Sequence, residues 1–168
     1  DFLRYSRQMM LPEIGEVGKE KLKKGKVLVI GAGGLGCPIL QYLTTAGVGT
    51  IGIIDFDKIE IHNLHRQILY NENQVDQPKA TTAKSILEKL NPLIPFIVFE
   101  EKLTGKNAER ILQDFDVIVD GCDNFTTRYL VTDTCVKLKK YLVYGSMLTF
   151  HSPVAALHNK SSNKLLAH

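Results

Sequence analysis

The amino-acid sequence predicts an α/β fold of the doubly wound, Rossmann-like kind: a mostly parallel sheet with helices on both faces. Three observations predict it. Short β-branched runs alternate with helical stretches along the 168 residues, the pattern of parallel strands joined by crossover helices. The first run, Val27-Leu28-Val29-Ile30, passes directly into Gly31-Ala32-Gly33-Gly34-Leu35-Gly36 and then into an apolar helical pattern. The second run ends on an acid, Asp55.

Glu13 to Lys24 reads as a charged helix with Ile14, Val17 and Leu22 as its apolar stripe, ended by Gly25 before the first strand. Behind the glycine turn, Leu35, Ile39, Leu43 and Ala46 recur at helical spacing until Gly47 and Gly49 stop the helix. Thr50–Ile54 is the second strand. Residues 58–77 are polar and irregular, and a loop of that length inside one domain usually carries function. Pro78 opens a helix with Ala83, Ile86, Leu87 and Leu90 inward and Asn91-Pro92 as its stop. Phe96–Phe99 is a third strand, Asn107–Gln113 a short helix, Asp116–Asp120 a fourth strand, Thr126–Lys139 a helix, Tyr141–Tyr144 a fifth strand and Val154–Leu157 a sixth. One domain is expected over 1–158, with 159–168 as a tail. Ligands on such sheets bind at the carboxyl ends of the strands. The glycine turn, Asp55 and Gly121-Cys122-Asp123-Asn124 should therefore meet.

Composition narrows the function. A net charge of +3 is too small to argue for nucleic acid or a membrane surface, and no run approaches a membrane span. Three widely spaced cysteines, Cys37, Cys122 and Cys135, form neither a metal framework nor a disulfide set, as expected of a cytoplasmic protein. Cys122 and Cys135 read as core. Cys37 reads as packed beneath the glycine turn, the alternative being a thiol of lowered pKa at a helix amino end.

Gly31, Gly33 and Gly36 fit the pattern G-x-G-x-x-G, with Gly34 between them, and Asp55 follows where an acid can bind ribose hydroxyls. Taken alone this reads as NAD binding by an oxidoreductase. Two cations argue otherwise. Lys79 stands in the first turn of a helix, where a cation is misplaced by about 0.3–1 kcal/mol unless an anion binds there, and Arg66 lies in the irregular loop. The turn is no P-loop, because Cys37-Pro38 occupies the place of Lys-Ser/Thr. A triphosphate would need its cations from elsewhere, and Arg66 and Lys79 supply them. Asp123, facing that polyphosphate, suits Mg²⁺ held by one carboxylate with phosphate oxygens and water; the bland alternative is a helix cap, which Asn124 fits better.

Arg4-Tyr5-Ser6-Arg7-Gln8, the glycine turn, Asp55-Phe56-Asp57, Asn63-Leu64-His65-Arg66-Gln67, Gln77-Pro78-Lys79, Asn91-Pro92 and Cys122-Asp123-Asn124 follow one another here. In that order, over roughly residues 2 to 150, the chain resembles the ubiquitin-activating-enzyme superfamily, most of all the ThiF/MoeB/HesA adenylyltransferases of thiamin and molybdopterin biosynthesis. The resemblance implies ATP-dependent adenylation of the C-terminal carboxylate of a ubiquitin-like sulfur carrier. It implies that Asp55 holds the ribose and that Asp57 also belongs to the nucleotide site. It further implies that Arg66 and Lys79 bind phosphates, that Asp123 positions Mg²⁺, and that Asn63 and Gln67 assist. Arg7, on an amino-terminal helix, would reach the neighbouring subunit's site in a homodimer. Such relatives continue into a zinc-binding Cys-x-x-Cys and a partner-binding half, which this sequence lacks. No zinc is therefore expected in this chain, and a non-catalytic nucleotide-binding module remains the third reading.

Overall fold

β1 (Lys26–Ile30) and β2 (Thr50–Ile54) lie in the interior of the sheet because they are apolar on both faces, as buried parallel strands must be. In the computed structural model, which describes residues 2–145 and 154–157, the strand order is β3-β2-β1-β4-β5-β6. β3 (Phe96–Phe99), β4 (Val117–Asp120) and β5 (Tyr141–Gly145) run parallel to the central pair, and β6 (Val154–Leu157) is an antiparallel edge beside β5. The expected fold class and the expected sixth strand both stand; its antiparallel direction is a finding of the structure. The tail expected over 159–168 lies outside the described residues.

Side chains alternate across the sheet with period two. Val27 and Val29 of β1, with Ile51 and Ile53 of β2, face α3 (Gly36–Ala46) and α4 (Lys79–Leu90). Leu28, Ile30 and Ile54 face α5 (Ala108–Leu112) and α6 (Phe125–Leu138). Gly52 is the one position on β2 without a side chain, because the Phe115 ring occupies that space. Register sets the rest: Ile30 pairs with Ile54 on one side and with Asp120 on the other. The three strands therefore end level, and Gly31, Asp55 and Gly121 emerge together.

α1 (Phe2–Met9) and α2 (Gly15–Lys24) pack at the far end. Here the apolar stripe read over 13–24 needs correction. Val17 is 71% exposed, while Lys19 is buried. The Lys19 ammonium sits 3.2 Å above the centre of the Tyr5 ring and donates to the Ala46 and Gly47 carbonyls, the negative end of α3. Asn91 is buried too, and its amide nitrogen lies 2.8 Å from both the Tyr5 hydroxyl and the Thr44 carbonyl. Two segments that looked like separate signatures, around Tyr5 and around Asn91-Pro92, are thus one anchor for α1. Leu90, expected inward, is 41% exposed because it sits at the end of α4, past the sheet.

The irregular stretch 58–77 is ordered by its own caps. Glu60 and Asn63 form a capping box on one 3-10 turn (Ile61–Asn63), and Asn71 and Gln74 on another (Glu72–Gln74). Ile59, Leu69 and Tyr70 anchor it in the core.

Candidate nucleotide site

The strand order reverses between β1 and β4, and a crevice at the carboxyl ends of the strands follows from that reversal. A cleft of about 470 Å³ opens there, in the size range of small-molecule sites. The turns after β1 and β4 touch back to back. Gly31 has φ +88°, and a Cβ on it would stand 3.2 Å from the Gly121 carbonyl oxygen. A Cβ on Gly36 would collide with the Gly31 carbonyl. Both positions therefore need glycine, one for its backbone angle and one for close approach. α3 begins at Gly36 with no side-chain cap, but the Cys37 N–H is taken by the Gly33 carbonyl at 2.9 Å and Pro38 has no N–H, so an anion would meet the amides of the turn ahead of them.

Asp55 lies beside this turn. Its Oδ2 accepts from the Ala32 N–H at 2.7 Å and its Oδ1 from the Asp57 N–H at 2.8 Å. The carboxylate is thereby fixed, and each oxygen keeps a lone pair for a ligand hydroxyl. Burial raises its pKa, and the two backbone hydrogen bonds oppose that rise. Lys79 is buried at the start of α4, with its ammonium 3.4 Å from Asp57 Oδ2. Tyr70 links it to the turn: the buried hydroxyl donates toward the Ala32 carbonyl at 2.9 Å and the Lys79 carbonyl at 3.2 Å.

Arg66 lies across the mouth. A Cβ on Gly34 would stand 3.7 Å from its Cγ and Cδ, and Nη1 donates to the His62 carbonyl at 3.2 Å. It has no carboxylate partner among the described residues. Gln67 is buried against Gly33, and its Oε1 has no partner among the described residues. Asn63, also buried, spends its side-chain oxygen on the Glu60 N–H. Gly31, Gly33, Gly34, Asp55, Asp57, Asn63, Arg66, Gln67, Lys79 and Gly121 line the cleft, whereas Gly36, Tyr70 and Ala32 do not.

Asp123 projects from the turn after β4 into the same cleft, exposed and free of hydrogen bonds or ion pairs with any described residue. Asn124 caps α6, accepting the Thr127 N–H at 2.8 Å. The described residues hold no cluster of three or more His, Cys, Asp or Glu side chains able to cage a metal. One free carboxylate beside a phosphate site is the donor set of a Mg²⁺ carried mainly by nucleotide oxygens and water, so the residues present fit that ion.

One reading on the cysteines changes and one stands. Cys122 is not core: it is half-buried and lines the cleft, since the strand has already ended at Asp120. Cys37 does pack beneath the turn, donating to the Ala32 carbonyl at 3.3 Å; burial pushes its thiol up to about 11, so the lowered-pKa alternative fails. Arg7 is exposed on α1 and does not line the cleft of its own chain. The sequence reading missed Asp120 and Arg128. Asp120 is fully buried at the end of β4 and paired with Arg128, whose side chain lines the cleft. Its signal was an acid closing the buried run Val117-Ile118-Val119.

Fold and site together define a Rossmann-like α/β domain with a cleft at its glycine turn, lined by two cations, Arg66 and Lys79, that come from outside that turn. A model of the ThiF family matches residues 5–166, and the chain belongs to that family. It is 49% identical over 156 residues to a sulfur carrier protein adenylyltransferase of Thermus thermophilus, covering 93% of this chain and 58% of the relative. It is 48% identical over 161 residues to the adenylyltransferase and sulfurtransferase MOCS3 of Culex quinquefasciatus, covering 96% and 37%. The chain thus spans between about a third and three fifths of the curated relatives it matches. Among solved structures, E. coli MccB with AMPCPP and MccA superposes with a TM-score of 0.85 at 26% identity, over 95% of this chain and 49% of that one. No helix among the described residues is long and apolar enough to cross a membrane.

Proposed function

We propose that this chain is the nucleotide-binding portion of an ATP-dependent adenylyltransferase. Its substrate is the C-terminal carboxylate of a ubiquitin-like sulfur carrier, in biosynthesis of the thiamin or molybdopterin type. The observation that carries the reading is the convergence of Arg66 and Lys79 on the glycine turn. A nicotinamide dinucleotide has no use for two cations there; a triphosphate does. The names of the relatives, and the AMPCPP held by MccB, support the same reading.

In the reaction a carboxylate oxygen of the carrier attacks the α-phosphorus of ATP. A new P–O bond forms, the bond from the α-phosphorus to the bridging oxygen breaks, and pyrophosphate leaves with the electron pair. No proton transfer is needed. Catalysis is then positioning and charge stabilisation. The amides of the turn hold phosphate oxygens, and Asp55 holds ribose hydroxyls. Lys79 exchanges its Asp57 contact for phosphate, and Arg66 closes over the mouth with Gln67 and Asn63 beside it. Asp123 would hold Mg²⁺, which when bound neutralises phosphate charge. Arg7 is assigned to the site of a neighbouring copy in a homodimer, and the setting is cytoplasmic.

Isothermal titration with ATP and Mg²⁺, set against NAD, tests the nucleotide; tight NAD binding without ATP binding would refute it. Pyrophosphate exchange with a sulfur carrier tests the reaction, since a pure binding module shows none. For Arg7, exchange should be lost in Arg7→Ala and restored on mixing with Lys79→Ala subunits.

A further inference from the structure

The turn that presents Asp123 is held by a closed ring of polar contacts. Asp120, 1% exposed, accepts the Cys122 N–H on Oδ1 at 3.0 Å. Its Oδ2 lies 3.4 Å from Arg128 Nε. Arg128 Nη2 then donates to the Cys122 carbonyl at 3.1 Å. The amide and the carbonyl of Cys122, the residue immediately before Asp123, are thus both tied to the same ion pair. The same Nη2 donates to the Gly145 carbonyl at 3.2 Å, which joins the turn to the end of β5. The guanidinium also lies 6.0 Å from the Phe125 ring centre and 5.6 Å from that of Tyr144.

A buried ion pair is costly to desolvate and weak evidence of stability by itself. Packing this fold does not require one, because β1 and β2 reach the same sheet edge with Ile30 and Ile54. What the pair adds is a fixed peptide orientation ahead of a carboxylate that has no other constraint. A lysine could meet Asp120, but it lacks the planar fork that reaches three acceptors at once.

The geometry points to Arg128 as a positioning residue: through Asp120 and Cys122 it aims Asp123 at the metal–phosphate side of the cleft. The inference rests on the Mg²⁺ reading of Asp123 given above.

The test is ATP binding by isothermal titration, with Mg²⁺ and in excess chelator, on the full chain and its variants. Asp123→Ala serves as reference and should abolish the Mg²⁺-dependent gain in affinity. Arg128→Lys should keep metal-free ATP affinity within about twofold of the parent and lose most of the Mg²⁺ gain, roughly tenfold. On the Asp123→Ala background it should change nothing further. Loss of metal-free and metal-bound affinity in equal measure, or an undiminished Mg²⁺ gain, would overturn the proposal. If Asp123→Ala itself leaves the gain intact, the Mg²⁺ assignment fails instead. Should Arg128→Lys fail to fold, Asp120→Asn decides by the same titration: it keeps an acceptor for the Cys122 N–H but loosens Arg128. An unchanged Mg²⁺ gain there sinks the inference.

Discussion

The turns after β1 and β4 are neighbours in the sheet and opposites in chemistry. The first is backbone: glycines, an uncapped helix end and cations brought in from residues 66 and 79. The second is side chain: a buried acid, an arginine clamp, a helix already capped by Asn124 and a free carboxylate. One offers donors and the other acceptors. Their contact at Gly31 and Gly121 brings the amides and cations of the one beside the free carboxylate of the other. A metal-bound polyphosphate needs that pairing, and neither turn supplies it alone.

The largest expected effect concerns the thiol of the second turn. Burial first, and then Asp120, push Cys122 up to about 12 from 9.0. Thiolate is the reactive form, so at pH 8 its supply is roughly a thousandfold below that of an unperturbed thiol. Raising the pH should increase the rate about tenfold per unit, since each unit multiplies the thiolate. Iodoacetamide labelling followed by mass spectrometry reads this out. Rapid labelling of Cys122 at pH 8 would mean that the turn opens, and the second turn would not be the rigid one of the two.

Next is Lys79→Met. Removing a preorganised cation from a reacting phosphate costs about a hundred- to a thousandfold in rate, measured by pyrophosphate exchange. The fold should persist, because methionine keeps most of the apolar stem. Asp57→Asn sharpens the result: it removes the Lys79 counter-ion and should weaken exchange far less. If the two variants lost equal activity, the ion pair and not the free cation would be the working unit.

Gly36→Ala attacks the first turn through its backbone. The added methyl meets the Gly31 carbonyl, and relieving such overpacking costs about 1–3 kcal/mol. Urea unfolding should show the loss, and ATP affinity should fall with it. An unchanged midpoint would show that the turn has room the geometry denies.

How much of this was legible in the sequence follows the same division. Gly31, Gly33, Gly36 and Asp55 were readable because local backbone geometry dictates them. Lys79 stood out because a cation at a helix amino end is out of place without an anion, and Arg66 as a second cation in the irregular loop after Asp55; the structure puts both on the cleft. Asp120 and Arg128 were not, since their meaning depends on a contact between a strand end and a helix, and a carboxylate ending an apolar run carries no mark of its partner. Lys19 was missed for a related reason: in a helix of charges nothing distinguishes the lysine that lies over Tyr5. Val17 and Leu90 were misread because helical spacing gives a face but not where the neighbouring layer stops. Cys122 was misread although the strand end at Asp120 was placed correctly, because a cysteine's residue type does not tell whether a turn beyond the strand faces the core or the cleft.

The smallest effect is the most discriminating. Asn124 is the cap of α6 and lines the cleft beside Asp123, so it could serve the fold, the nucleotide or both. Asn124→Ala frees the Thr127 N–H and should cost about 1 kcal/mol, which in a domain of this size lowers the melting temperature by roughly 2–4 °C. Because it leaves Asp123 and its clamp in place, the Mg²⁺-dependent gain in ATP affinity should survive. A larger loss of affinity than of stability would move Asn124 from the fold to the site. Uncapping also makes the end of α6 resemble that of α3. If nucleotide affinity then rose, helix ends and not side-chain charges would dominate the cleft, and the difference between the two turns would be one of degree.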